Sequence, residues 1–255
     1  MLCCEALTIR FGGLAAIDNL DFQVTAGNIH GLIGPNGSGK TTLFNLISGI
    51  YKPTSGSIVF EGKSIAGHRT DEVTRAGIAR TFQNIRLFGD MTVWENLLVG
   101  RHCRLKQTIF DDIFATSAKR REEGEAREKL EELLKLFKME RLRDELAKNL
   151  PYGLQRELEI MRAMASEPRL LLLDEPAAGM NPQETAQLMQ QIQLLRGRGF
   201  TVLVVEHDMR LVMNICDRIT VLNYGKKIAE GAPREIQTHP EVIGAYLGKQ
   251  VKDSA

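Results

Sequence analysis

Residues 31–42 read GLIGPNGSGKTT. Gly34 to Thr41 fits G-x-x-x-x-G-K-[ST], with a strand-like apolar run before it (Ile29–Ile33) and a helical pattern after it (Leu43–Ile50, closed by Lys52-Pro53). That context decides how the loop reads. Glycines let successive backbone N–H groups turn inward around phosphate oxygens with no Cβ in the way, and the helix start adds the positive end of its dipole. Gly34, Pro35, Asn36, Gly37, Ser38, Gly39, Lys40, Thr41 and Thr42 are therefore candidate phosphate-binding residues. Lys40 is expected at the β- and γ-phosphates, and the Thr41 hydroxyl on Mg²⁺. Glycines at 34, 37 and 39 are out of register with G-x-G-x-x-G, which excludes a dinucleotide loop.

A triphosphate loop needs a carboxylate at its magnesium. LLLLDEP (170–176) supplies one at the end of an apolar run that reads as a strand buried on both faces of a parallel sheet. Asp174 is the expected Mg²⁺ residue, through water, and Glu175 the general base that polarises the attacking water. An acceptor that is water favours an ATPase over a kinase. TVLVVEH (201–207) is a second buried strand, and His207 ends it at the same sheet edge, within reach of a γ-phosphate. Gln83, in RTFQN (80–84), is a further candidate contact to water and Mg²⁺. The catalytic set is thus Glu175, His207 and Gln83, the metal set Thr41, Gln83 and Asp174, and the cofactors ATP and Mg²⁺.

Outward from these motifs, short strands are expected at Leu7–Phe11, Leu20–Val24 and Ser57–Phe60. Strand–helix alternation returns from Arg169, with helices over Pro182–Arg196 and 209–217 and strands at Ile219–Leu222 and Lys227–Ala229 around a Tyr-Gly turn. Between them, about Met91 to Leu150 reads as helical. KRREEGEAREKLEELLKLF (119–137) places Leu130, Leu133, Leu134 and Phe137 on one face of a charged, solvated helix. The expected fold class is α/β: a P-loop core with an N-terminal antiparallel β sub-domain and an inserted α-helical sub-domain. Residues 1–90 and 157–230 form the β and core parts, 91–156 the helical sub-domain, and 231–255 a C-terminal helix and tail.

The 255 residues carry a net charge of +1, which gives no strong field for nucleic acid or anionic lipid. Cys3, Cys4, Cys103 and Cys216 fit no zinc or redox spacing and read as free thiols. No signal peptide and no membrane span are expected, so at a membrane another chain must do the crossing.

P-loop, Gln83, Asp174-Glu175 and His207, with a helical insert between, resemble the ABC ATPases over nearly the whole chain. The resemblance implies an RecA-like core, Phe11 as the aromatic that stacks on adenine, a D-loop at Gly179-Met180-Asn181, and a sandwich of two subunits around two ATPs. It also implies a signature loop at residues 150–155. Where the family usually has L-S-G-G-Q, this chain reads LPYGL followed by Gln155. Pro151, Tyr152, Gly153, Leu154 and Gln155 are then the residues that face the nucleotide of the opposite subunit. Pro151 brings neither hydroxyl nor N–H.

GIARTFQNIRLFGDMTVWENLLVG (77–100), DEPAAGMNPQE (174–184), EHDMRLVMNICDRITVLNYG (206–225) and HPEVIGAYLG (239–248) look like the importer ATPases for branched-chain amino acids. That branch implies a second, different ABC ATPase subunit, two integral membrane permease subunits, and an extracytoplasmic solute-binding protein reached indirectly. It implies a peripheral place at the cytoplasmic face of the inner (plasma) membrane and no nucleic acid partner. Ile85, Leu87, Phe88, Met91 and Trp94 crowd after Gln83, as core of the helical part or as a grip for a membrane subunit. An exporter ATPase of lipid type and a non-transport ABC ATPase stay open as alternatives.

Overall fold

The computed structural model describes residues 1–104 and 117–250. They form two compact units: Met1–Gln83 together with the chain from Arg169 on, and Asn84–Pro168. Residues 251–255 of the expected tail lie outside the described residues, as do the side chains of 119–123 in the expected charged helix.

In the first unit, one sheet has four strands and is antiparallel throughout. Its order is β2 (Leu14–Val24), β1 (Leu2–Phe11), β4 (Ser55–Phe60), β5 (Lys63–Ser64). The other has six, in the order β10 (Lys226–Gly231), β9 (Arg218–Asn223), β3 (Ile29–Ile33), β8 (Thr201–Val205), β7 (Leu170–Asp174), β6 (Ile78–Arg80). Its pairs are parallel except β9–β10. β3, β7 and β8 are buried at every position, as their unbroken apolar runs require. The helix after the glycine loop, α1 (Lys40–Ile47), buries Leu43, Phe44, Leu46 and Ile47 in one cluster with Phe22 and Phe60 of the antiparallel sheet and Leu172 and Leu203 of the parallel one. Each such side chain contributes about 1.5–3 kcal/mol, so the loop is anchored at its helical end.

Sequence periodicity misses α2 (Thr70–Ala76) and β6, because a three-residue strand is too short to show alternation. β8 stops at Val205, so Glu206 and His207 stand in the turn after it rather than in the strand.

The second unit contains α3 (Val93–Arg101), α4 (Ser117–Leu136) and α5 (Tyr152–Met164). The expected helical stretch is interrupted before α5 by two 3₁₀ turns, Glu140–Leu142 and Ala147–Asn149, after Lys138 takes a positive φ of 57°. Leu130, Leu134 and Phe137 are buried, and Leu133 is half-buried. Trp94 lies under the Arg143 guanidinium at 3.8 Å, while Phe88 and Met91 are exposed. The chain closes with α6 (Pro182–Gly197), α7 (Met209–Ile215), α8 (Pro233–Gln237) and α9 (Pro240–Gln250).

The four cysteines are free; burial pushes the Cys4 and Cys216 thiols up to about 12. His30 of β3 is also buried, its Nε2 2.9 Å from the Thr220 hydroxyl and its ring edge-on to Phe22. Burial lowers its pKa from 6.5 to about 4. Between those two values the unfolded chain takes up a proton that the fold refuses, so stability is full above pH 6.5 and falls as pH drops to about 4. The loss is at most about 3 kcal/mol. Urea midpoints taken across this range should show that slope, and His30→Gln should flatten it; an equal slope in the variant would assign it to other groups.

Candidate active site

The glycine loop leaves β3 at Gly34, which is buried with φ at 151°. A Cβ there would meet the Leu222 carbonyl oxygen at 2.1 Å and Ser38 Oγ at 2.6 Å. Gly39, at φ 107°, precedes α1, and a Cβ there would meet the Ala16 carbonyl at 2.7 Å. Only glycine fits either position. Lys40 is buried, with Nζ turned back onto the carbonyls of Gly34 (2.7 Å) and Pro35 (3.1 Å). Ser38 Oγ is buried with no hydrogen-bond partner among the described residues. An inward-facing loop, a buried ammonium and an orphaned hydroxyl together fit phosphate oxygens.

Asn36, Gly37, Ser38, Gly39, Lys40, Thr41 and Thr42 line a cavity of about 650 Å³. Gln83, Glu175 and His207 line the same cavity. The side chains of these three form a chain of contacts. Gln83 Nε2 donates to Glu175 Oε2 at 2.9 Å, and His207 Nε2 lies 2.7 Å from Glu175 Oε1. Glu175 has a positive φ of 47°, uncommon for a residue with a side chain, in the turn directly after β7. Its amide donates to the Val205 carbonyl at 2.9 Å, and its carbonyl accepts from Ala178 N at 3.1 Å. Backbone strain of this kind concentrates at functional sites, which makes the turn a candidate.

Asp174 is buried one residue earlier. Its Oδ2 accepts from Arg80 at 2.8 Å. The same guanidinium donates to Asn45 Oδ1 of α1 (2.7 Å) and to Ser48 Oγ at its C-cap (3.0 Å), and lies against the rings of Phe44 and Phe82. Arg80 thus ties the helix of the phosphate loop to the carboxylate at the end of β7. Thr41, Asp174 and Gln83 offer hard oxygen donors of the kind magnesium prefers. Among the described residues no cluster of three or more His, Cys, Asp or Glu could hold a metal alone.

Some expected residues are not at this cavity. Phe11 stands edge-on to Tyr51 at 5.3 Å and is not among the lining residues. Gly34 and Pro35 are buried and do not line the cavity. Asn181 caps α6, accepting from the amides of Gln183 and Glu184. Pro151, Tyr152, Gly153, Leu154 and Gln155 belong to the second unit, at the start of α5. There Gln155 Nε2 donates to the Leu150 carbonyl at 2.8 Å, closing the turn. Fully buried Arg156 pairs with Glu159 at 2.8 Å, and Glu159 accepts the Arg86 amide at 3.2 Å.

Sequence reading missed Leu14, Ala15 and Ala16 of β2, and Tyr224 and Gly225 of the β9–β10 turn, all of which line the cavity. In the sequence the Tyr-Gly pair reads only as a turn. The Gly225 amide donates to the Ser38 carbonyl at 2.9 Å, an approach that no local pattern records. Tyr246 of α9 is also unannounced: its phenol oxygen takes a hydrogen bond from the Gly34 backbone, while burial raises its pKa.

A glycine cradle for phosphates, facing a glutamate set between a glutamine and a histidine on a parallel sheet, defines a P-loop nucleoside triphosphatase. Comparison with known proteins narrows the class. The model of the family described as "ABC transporter" matches residues 17–178, and that of "Branched-chain amino acid ATP-binding cassette transporter" matches 226–252. The high-affinity branched-chain amino acid transport ATP-binding protein LivG of Salmonella typhimurium is 46% identical over 250 residues, 98% of each chain. The corresponding protein BraF of Pseudomonas aeruginosa is 47% identical over 246 residues, 96% of each. Among solved structures, the ADP conformation of an ATP-binding cassette of an ABC transporter aligns with a TM-score of 0.84 at 32% identity, covering 97% of this chain and 98% of that one. The chain belongs to the ABC transporter ATP-binding family. It is an ATPase of the kind that powers membrane transport, and no helix among the described residues is long and apolar enough to cross a membrane.

Proposed function

We propose that this chain binds and hydrolyses ATP to energise an importer of branched-chain amino acids, leucine, isoleucine and valine. The observation that carries the hydrolytic part is Glu175, held between Gln83 and His207 at the mouth of the phosphate cradle. The transported class rests on the near full-length likeness to LivG and BraF.

In this reading the loop amides and Lys40 bind and orient the β- and γ-phosphates. Thr41, Gln83 and Asp174 would hold Mg²⁺, which when bound supplies charge neutralisation at the phosphates. Glu175 takes the proton of the attacking water, and His207 orients the Glu175 carboxylate and the γ-phosphate. Phe11 serves the adenine. The start of α5 presents the amides of Tyr152, Gly153 and Leu154, flanked by Pro151 and Gln155, to the nucleotide of a second, different ABC ATPase subunit. Residues 91–156, with the exposed Phe88 and Met91 just ahead of them or within them, are the side that docks on two permease subunits. This puts the chain at the cytoplasmic face of the membrane and links it indirectly to a solute-binding protein.

Uptake of labelled leucine tests the proposal. Cells carrying Lys40→Ala at normal protein level should lose most uptake relative to wild type. Unchanged uptake, with ATP binding by the purified wild-type chain intact, would remove the transported class and leave the ATPase. Lipid retention in the variant would instead favour an exporter.

A further inference from the structure

β7 and β8 lie side by side in parallel register, with Asp174 opposite Val205. Each strand then enters a turn at the same sheet edge. One turn presents Glu175 and the other His207. Glu206 sits between them and is 4% exposed. Its Oε1 accepts the Ala177 amide at 2.7 Å and its Oε2 the His207 amide at 3.1 Å; the Asp208 amide adds a third bond. Its partners are thus backbone amides on both turns.

A carboxylate in this place is costly. Burial, with the nearby Glu175 charge, raises its pKa above the ordinary range. Core packing alone would be served better by an apolar side chain. What a carboxylate alone provides is two acceptor oxygens on one rigid group and no donor.

We propose that Glu206 is a positioning residue: by accepting amides from the turn after β7 and the turn after β8, it sets the geometry in which Glu175 and His207 meet before the phosphate loop. Ala177 lies two residues past Glu175, so its amide helps to define the turn in which Glu175 adopts its positive φ. The His207 amide fixes the root of the imidazole. Asp208 follows at once as the cap of α7, accepting from Arg210 N at 2.8 Å, so the second turn is held at both ends. Glutamine cannot substitute. Its single carbonyl satisfies one turn, and its NH₂ faces an N–H donor on the other.

The inference rests on the ATPase reading, and the test separates the two. The transporter complex is isolated through this chain, and steady-state ATP hydrolysis is measured for wild type, Glu206→Gln, Glu175→Gln and the double variant. Binding of a fluorescent ATP analogue to each purified chain is measured in parallel. Wild-type complex without ATPase activity would overturn the ATPase reading itself. Given wild-type activity, Glu206→Gln should lower kcat about tenfold or more with nucleotide affinity within about threefold. In the Glu175→Gln background the same change should add almost nothing, because Glu206 acts through Glu175. A general structural role would instead give multiplicative losses or a parallel loss of ATP affinity. Either of these, or an unchanged kcat, would overturn the inference. If Glu206→Gln does not yield folded protein, Glu206→Asp carries the same cycle, since it keeps the charge but shortens the reach.

Discussion

Glu175→Gln is expected to cut ATP turnover by about 10²–10⁴-fold while nucleotide affinity stays close to wild type. The substitution is nearly isosteric. It keeps one acceptor oxygen for the contacts with Gln83 and His207, 2.9 and 2.7 Å from the present carboxylate, and leaves the turn and its positive φ in place. What it removes is the group proposed to take a proton from water. The proposed phosphate cradle is the backbone and side chains of Asn36 to Thr42, on the same cavity but not on this side chain, so binding should survive. Single-turnover hydrolysis and analogue binding on the same preparation check both halves. Turnover within tenfold of wild type would move the base elsewhere; a parallel loss of affinity would make Glu175 a binding residue.

Arg80→Met is expected to destabilise the fold by about 3–5 kcal/mol, because it leaves a buried carboxylate without its counter-charge. The Arg80 and Asp174 side chains are only 8% and 7% exposed and meet at 2.8 Å. The guanidinium also satisfies Asn45 of α1 and Ser48 at its C-cap and is flanked by Phe44 and Phe82. Methionine preserves much of the apolar stem but none of these bonds. Urea unfolding should report the loss. Adding Asp174→Asn should recover part of it, since the stranded charge is then removed. A single variant within about 1 kcal/mol of wild type would show that water replaces the guanidinium at this edge.

The first expectation rests on residues that the sequence flagged; the second joins one of these, Asp174, to Arg80, which it did not. The glycine loop was legible because its chemistry is local: glycines, lysine and threonine at fixed spacing between a strand and a helix. LLLLDEP and TVLVVEH were legible because a strand buried on both faces must be apolar along its whole length, so a polar residue at its end stands out. The structure places both runs in the parallel sheet, as β7 and β8, buried at every position.

Arg80 had no such signal. It lies in a three-residue strand, and its partners are 35, 32 and 94 residues away. Glu206 read as the polar tail of a strand; that its carboxylate spans two turns depends on strand order, which periodicity does not encode. Tyr224 looked like a turn residue until β9 and β10 brought it to the cavity.

The sequence by itself determined the α/β class, the glycine loop between strand and helix, and the carboxylates at the sheet edge. Each is written in contiguous residues whose spacing matches one local geometry. Only the tertiary structure decided that Glu175 would lie between Gln83 and His207, that Arg80 would hold Asp174, and that Glu206 would join two turns. Those contacts link residues from 29 to 94 positions apart, and they exist because parallel strands bring their ends to one edge whatever the length of chain between them.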